Sequence, residues 1–317
     1  MKSPLFVIGI LFSALTCAQS YPTKPIRIIV PFTPGSATDV MARLIGERLT
    51  NAWGQPVIVE NKAGAGGTIG IRDTARADPD GYTLAVVSSG HAVNHVLYKD
   101  LGYDTLKDLS AVAMLGSLPS VLIVPPSSPV NSVKELVAML KAKPGQYNYA
   151  TAGVGSGAHV GIEKFNVAAG VKAQHVPLKG TPPILTETMA GRVEYAYVPA
   201  VSGMGPVKDG KVKALAVSTG TRVAALPNVP TLGEAGFKDG ESTFWLALLA
   251  PAKTPPEILA RVNAEVARAL KSQEMIDRLA KLGTEPMLMS PAESDAFIRR
   301  EYNDLGAVMR AAGLTPQ

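Results

Sequence analysis

The 317-residue chain holds a single cysteine, Cys17. With no second thiol an intramolecular disulfide is excluded, and stability has to come from a buried core. A chain of this length can bury enough apolar surface to manage without bridges. Aromatic residues make up only 6%, and no basic run is interleaved with them, which argues against a nucleic-acid surface. Past the first twenty positions no segment approaches eighteen uninterrupted apolar residues, so none reads as a membrane span. Catalytic signatures are missing too. There is no GxSxG nucleophile elbow, no GxxxxGK(S/T) phosphate loop, and no assembly of nucleophile, base and oxyanion donors.

The first twenty residues have the layout of a secretory leader. Lys2 supplies the positive start, residues 5–14 the short apolar stretch, and Ala18-Gln19-Ser20 a small-x-small cleavage site. Cleavage there removes Cys17 and makes Tyr21 the mature N-terminus of an exported chain. The apolar stretch is too short to stay behind as an anchor. Attachment through a lipid on Cys17 is the weaker alternative, because Ala14-Leu15-Thr16 fits a lipidation site poorly. What remains is long enough for two domains of ordinary size. The net charge of +5 is scattered along the chain, a balance that suits an anionic ligand only weakly.

Apolar spacing predicts a strand at residues 26–30, ended by Pro31, then a helix through Val40, Met41, Leu44, Ile45 and Leu49. A second strand at 57–59 precedes the glycine-rich "NKAGAGGTIG" and a helix reaching residues 75–77. A turn, Asp78-Pro79-Asp80-Gly81, leads to a strand at 84–87. Such alternation predicts an α/β sheet with parallel strands. The scheme recurs after residue 121: a helix capped by Asn131 or Ser132, then strand, glycine-rich loop and helix in "QYNYATAGVGSGAHVGIEKFNVAAG". Strands at 173–178, 193–198 and 212–217 follow, with a helix near 183–190. A strand-like run at 243–249 and helices near 257–271, 274–282 and 291–312 complete the chain. Taking 121–124 and 243–249 as two crossings gives one domain from 21–121 plus 247–317 and a second from 122–246. Two crossings make a hinge, and the cleft between hinged domains is a place for a small molecule.

Three loops share one composition: Thr33-Pro34-Gly35-Ser36-Ala37-Thr38-Asp39, Ser88-Ser89-Gly90-His91, and Thr151-Ala152-Gly153-Val154-Gly155-Ser156-Gly157-Ala158. Small residues let a ligand approach the main chain. The first amides of a helix lack partners, and the helix dipole favours negative charge there. Ordinary capped turns are the bland alternative for any one loop. The last loop also fits the dinucleotide fingerprint, but the acidic residue needed about twenty positions later is missing. His91 and His95 are four apart, yet Ala92 stands where a zinc-protease helix carries Glu, so no metal site is expected. Asp39 has free amides of its helix's first turn within reach. His159 either orients a ligand oxygen or bonds the backbone of its own helix.

At this point the residues resemble a family, the extracytoplasmic Bug-type receptors of tripartite tricarboxylate transporters. "YPTKPIRIIVPFTPGSATDVMAR", "WGQPVIVENKAGAGGTIG", "DPDGYTL", "KPGQYNYATAGVGSGAHV", "HVPLKG", "GKVKALAVSTGTR", "LPNVPTLGEAG" and "LLAPAKTP" look like its blocks, in its order, from Tyr21 to about Gly313. The resemblance implies a two-domain periplasmic binding protein, a type II-like clamshell, with a sheet flanked by helices in each domain. It implies a non-enzymatic receptor, without cofactor or metal and expected as a monomer. Such a receptor closes on a small carboxylate and delivers it to a large and a small membrane permease subunit. Carried over, the ligand-binding residues are Thr33, Gly35, Ser36, Ala37, Thr38 and Asp39 on the first domain. On the second they are Thr151, Ala152, Gly155, Ser156 and His159, with Thr181 nearby and Ser88 and Ser89 completing the wall. Val198-Pro199-Ala200 departs from the family, where many relatives have an acidic residue and an asparagine. The strand end facing the cleft, Val198 and Pro199, then offers nothing to a ligand ammonium, and a plain mono- or dicarboxylate is expected rather than an amino acid. The rival reading with the same clamshell is a sensory receptor for a signalling kinase. An exported hydrolase is disfavoured by the missing catalytic set.

Overall fold

A computed structural model describes residues 21–316, so the leader read over residues 1–20 and the lipid alternative at Cys17 lie outside the described residues. Strand β1 (Ile26–Val30) leads into helix α1 (Ala37–Trp53), β2 (Val57–Asn61) into α2 (Thr68–Ala75), and β3 (Thr83–Ser88) into the short α3 (Asn94–Leu97). Strand β4 (Leu109–Leu118) follows, and with only Pro119 between them the chain enters β5 (Ser120–Val124). Next come α4 (Val133–Ala142), β6 (Asn148–Thr151), α5 (Gly157–Ala169), β7 (Gln174–Pro177) and α6 (Thr181–Met189). Then β8 (Tyr195–Pro199), α7 (Ala200–Lys208) and β9 (Lys213–Val217) follow. Strand β10 (Phe244–Pro251) precedes α8 (Pro256–Lys271), α9 (Gln273–Lys281) and α10 (Pro291–Ala311).

The strands form two five-stranded sheets, in the orders β2-β1-β3-β10-β4 and β7-β6-β8-β5-β9. The expectation of parallel strands holds in part: in each sheet four strands run in one sense, three of them adjacent, and one strand is reversed. β10 runs antiparallel to β3 and β4, and β5 antiparallel to β8 and β9. The reason lies in the crossings. A strand that arrives directly from the other sheet has no crossover helix to return it to the same end, so it enters in the opposite sense. The chain changes sheets at Pro119 and returns between Val217 and Phe244. Hence the runs read as crossings, 121–124 and 243–249, are almost wholly strands of one sheet each. The ten-residue β4 was invisible in the sequence because it is buried along nearly its whole length and shows no alternation.

Helices cover both faces of each sheet. In the first lobe, Met41, Leu44, Ile45 and Leu49 of α1 meet Ile26, Ile28 and Val30 of β1 together with Val262 and Val266 of α8. On the opposite face Ile29, Ile71, Val87, Trp245 and Ile298 form a second cluster. In the second lobe Leu122, Leu136, Ile162, Phe165 and Tyr197 pack on one side, and Val121, Ile184, Val198 and Met204 on the other. Removing a leucine from such a core costs about 2–5 kcal/mol. This packing makes each sheet a rigid base from which α1 and α5 begin. Helix α1 ends at Gly54, whose φ of +66° is the left-handed closure that glycine supplies without strain. Among the described residues no helix is long and apolar enough to cross a membrane.

Candidate functional site

Helices α1 and α5 start from loops with the same local geometry, on opposite sheets. Gly35 and Gly155 have φ of +81° and +74°, and the serines that follow have φ/ψ of −69°/159° and −69°/158°. The Ser36 amide donates to Thr33 O at 3.2 Å and the Ser156 amide to Gly153 O at 3.1 Å. Each glycine amide donates to the side chain four residues on, Gly35 to Asp39 Oδ2 at 2.9 Å and Gly155 to His159 Nδ1 at 3.2 Å. Positive φ at the glycine lets each chain turn sharply enough to point the following amides outward.

The two helix starts line a common, partly open cavity between the lobes. Ser36, Ala37 and Thr38 from α1 meet Ser156, Gly157 and Ala158 from α5 there. Ser88, Ala152, Thr181 and Pro199 also line it. Helices α6 and α7 begin at the cavity too, but their first amides are engaged. Thr181 N points at Ser36 Oγ at 3.4 Å, Ala200 N donates to Pro119 O at 2.9 Å, and Pro182 and Pro183 bring no donors. The helix starts that line the cavity with unengaged first-turn amides are those of α1 and α5. Thr38 adds one more donor, since its Oγ1 is buried with no partner among the described residues. A buried polar atom without a partner costs free energy, and one beside a cavity is explained if a ligand supplies the partner. Among the described residues no ionisable side chain lines the cavity.

The lobes are closed on each other. Thr33 N donates to Lys179 O at 3.2 Å, Ser202 Oγ to Gly35 O at 3.1 Å, and Tyr98 Oη to Val154 O at 2.8 Å. Gly90 packs so tightly that a Cβ there would lie 2.1 Å from Gly155 O.

Eight of the residues expected at the site line this one cavity: Ser36, Ala37, Thr38, Ser88, Ala152 and Ser156, with Thr181 and Pro199. The other eight stand behind or beside it. Thr33 and Gly35 make the cross-cleft bonds just given. Asp39 has its carboxylate occupied by Gly35 N, by Nε and Nη2 of Arg43, and by Asn61 Nδ2. Burial works to raise the Asp39 pKa, but the bonds from Arg43, Gly35 and Asn61 outweigh it and hold the carboxyl below its usual range. Gly155 gives its amide to His159, away from the cavity. Thr151 accepts from Gly153 N at 3.1 Å and bonds His175 Nε2 at 2.6 Å through the same oxygen. His159 is 1% exposed, stacked on His175 with centroids 4.4 Å apart. Burial, with the neighbouring His175 adding, pushes its pKa down to about 3. Ser89 lies in the turn beside Gly157, and Val198 is a fully buried residue of β8.

Four lining residues were not among the expected site residues: Gly157 and Ala158, which end the second glycine-rich loop, and the aromatics Phe32 and Phe244. Each aromatic ends or begins an apolar strand run, where nothing in the local pattern separates a cavity wall from ordinary core. His91 and His95 do not converge on a metal. His91 stacks on Tyr103 and His95 on Tyr302, and no group of three or more ligand-type side chains occurs among the described residues.

Two sheets that offer matching helix starts to a closed cleft define a solute-binding receptor, and a solved periplasmic binding protein superposes with a TM-score of 0.89 at 31% identity. The chain belongs to the tripartite tricarboxylate transporter family receptors, matching that family over residues 41–314. It is 36% identical to protein BugT of Bordetella pertussis over 99% of this chain and 98% of that one. An R. palustris protein solved with adipate has a TM-score of 0.90 at 32% identity, covering 94% of this chain and 100% of its own. MatC from Rhodopseudomonas palustris, solved with bound malate, has a TM-score of 0.86 at 33% identity, covering 91% and 99%. The family and its solved members are receptors, not enzymes, and this chain is one of them.

Proposed function

We propose that this receptor is exported to the periplasm, captures a small organic carboxylate in the cleft, and hands it to the large and small permease subunits of its transporter. The division of labour is between the lobe read as 21–121 plus 247–317 and the lobe read as 122–246, with the crossings moved by the strand pairing to Pro119 and to the stretch before Phe244, the mature chain starting at Tyr21 as a monomer. The observation that carries this reading is the cavity itself. The starts of α1 and α5 line it together with Thr38, whose hydroxyl has no partner among the described residues, and among the described residues no ionisable side chain does. A hydrogen bond to a charged acceptor contributes about 1.5–3 kcal/mol, so three or four such donors hold a carboxylate without a cation. The adipate and malate found in the two R. palustris relatives support the same chemistry.

Val198 and Pro199, at the end of β8, offer no carboxylate to an ammonium group, and none of the other lining residues does. A plain mono- or dicarboxylate is therefore the proposed ligand, in preference to an amino acid. The test is a thermal-shift screen of small organic acids and acidic amino acids. A ligand at a hundred times its dissociation constant adds about 2.7 kcal/mol of stability. A shift with plain carboxylates is expected. A shift confined to aspartate or glutamate overturns the ligand class, and no shift with any acid overturns the receptor role proposed for this cleft.

A further inference from the structure

The two cleft loops share a backbone, and they part company at the residue that receives the glycine amide. In the first lobe that residue is Asp39, and Arg43, four positions on, pairs with it at 2.9 Å while Asn61 supplies a further bond. In the second lobe it is His159, and four positions on stands Glu163. Glu163 is buried, bonded to Tyr149 and to Asn166, and burial raises its pKa. The ring that faces His159 is His175, itself bonded to Thr151. Among the described residues Arg43 has no counterpart there.

An amide N–H can only donate, so His159 Nδ1 must present its lone pair to Gly155, and the ring's proton sits on Nε2. Nε2 is buried without a partner among the described residues. We infer that His159 is a positioning residue of the second-lobe cradle: a neutral acceptor that turns the Gly155 amide inward, so that the Gly157 and Ala158 amides face the ligand, while keeping negative charge out of that helix start. The inference rests on the proposed carboxylate ligand for its charge argument, and on geometry alone for the amide. Asp39 can carry charge because Arg43 and Asn61 compensate it. An aspartate at 159 would place a negative charge at the helix start one turn from Glu163, with no arginine in the place that Arg43 holds beside Asp39.

The test compares His159→Ala, His159→Asn and His159→Asp with the wild-type chain, using malate and adipate as probes in titration calorimetry. Circular dichroism and melting temperature check the fold of each variant. The Asn Oδ1 and the His Nδ1 are both bonded to Cγ, so Asn can restore the acceptor. Expected are a tenfold or greater loss of affinity in the Ala variant, recovery to within threefold of wild type in Asn, and a tenfold or greater loss in Asp. Nitrogen NMR of the histidine rings, four in the full chain, should show His159 in the Nε2–H form and not titrating between pH 5 and 8. Exchange of the Gly155 amide should quicken in Ala and return to the wild-type rate in Asn. An Nδ1–H ring, a folded Asn variant as weak as Ala, or an Asp variant as tight as wild type overturns the inference. If wild type binds neither probe, the acid that gives the largest thermal shift takes their place, a screen without any shift is what fails the carboxylate reading, and the tautomer and Gly155 exchange still decide the positioning role.

Discussion

Ser36 and Ser156 agree to within a degree in φ and ψ, yet their loops are held from below by opposite chemistries. Under the first lies an ionic set, Asp39 with Arg43 and Asn61. Under the second lies an uncharged stack, His159 on His175, with Tyr149 beyond it at 5.0 Å from His175. Their serines differ as well. Ser156 caps its own helix by accepting from His159 N at 3.3 Å. Ser36 makes no such cap and reaches across the cleft to Thr181. What the pair has in common is the presentation of amides, and that is what the ligand would meet. They differ in where the hydroxyl goes, the second loop securing its own helix start and the first holding the cleft closed.

The strongest way to break the symmetry is to stop the loops from meeting. Gly90 has no unusual φ, and the atoms nearest to an added Cβ all belong to the second-lobe loop, Gly155 O at 2.1 Å and Gly157 N at 2.7 Å. Gly90→Ala should therefore be accommodated in an open form and block the closed one. Calorimetry should show affinity for malate or adipate reduced at least a hundredfold, with the melting temperature within a few degrees of wild type. Wild-type affinity in that variant would mean that binding does not need this contact.

Acid should separate the two undersides. Burial holds the pKa of His91 down to about 4 and that of His159 to about 3, each with a neighbouring histidine adding. An unfolded histidine titrates near 6.5, so the unfolded chain binds protons first as pH falls. Stability is full above that value and is lost progressively toward pH 4, by about 2 kcal/mol per buried histidine at pH 5. Asp39 is held low, so its contribution is present above its unfolded pKa and is lost only at more acidic pH. Burial holds His175 down to about 4 as well, so urea denaturation at pH 7 and pH 5 should show the loss, and His159→Asn should remove about a third of it. An unchanged difference in that variant would acquit His159.

A smaller effect tests the donor set of the first loop alone. Thr38→Val keeps the shape and deletes a buried hydroxyl that has no partner among the described residues. Affinity for the carboxylate should fall about tenfold, the equivalent of one hydrogen bond to a charged acceptor, while stability holds or rises. Unaltered affinity would remove Thr38 from the ligand's partners.

Much of this molecule was open to a reader of the amino-acid order. The spacing of Met41, Leu44, Ile45 and Leu49, the left-handed glycines and the small residues ahead of α1 and α5 act over a few positions, and so both lobes and both loops were legible. The antiparallel sense of β5 and β10, the aromatic walls Phe32 and Phe244, and the neutrality of His159 were not. Each depends on contacts between distant residues, as when Ser36 meets Thr181 across 145 positions. Propensity and periodicity reach only along a helix turn or a strand. Which amides stay free, and which side chain is drained of charge, follows from what the folded lobes bring beside them.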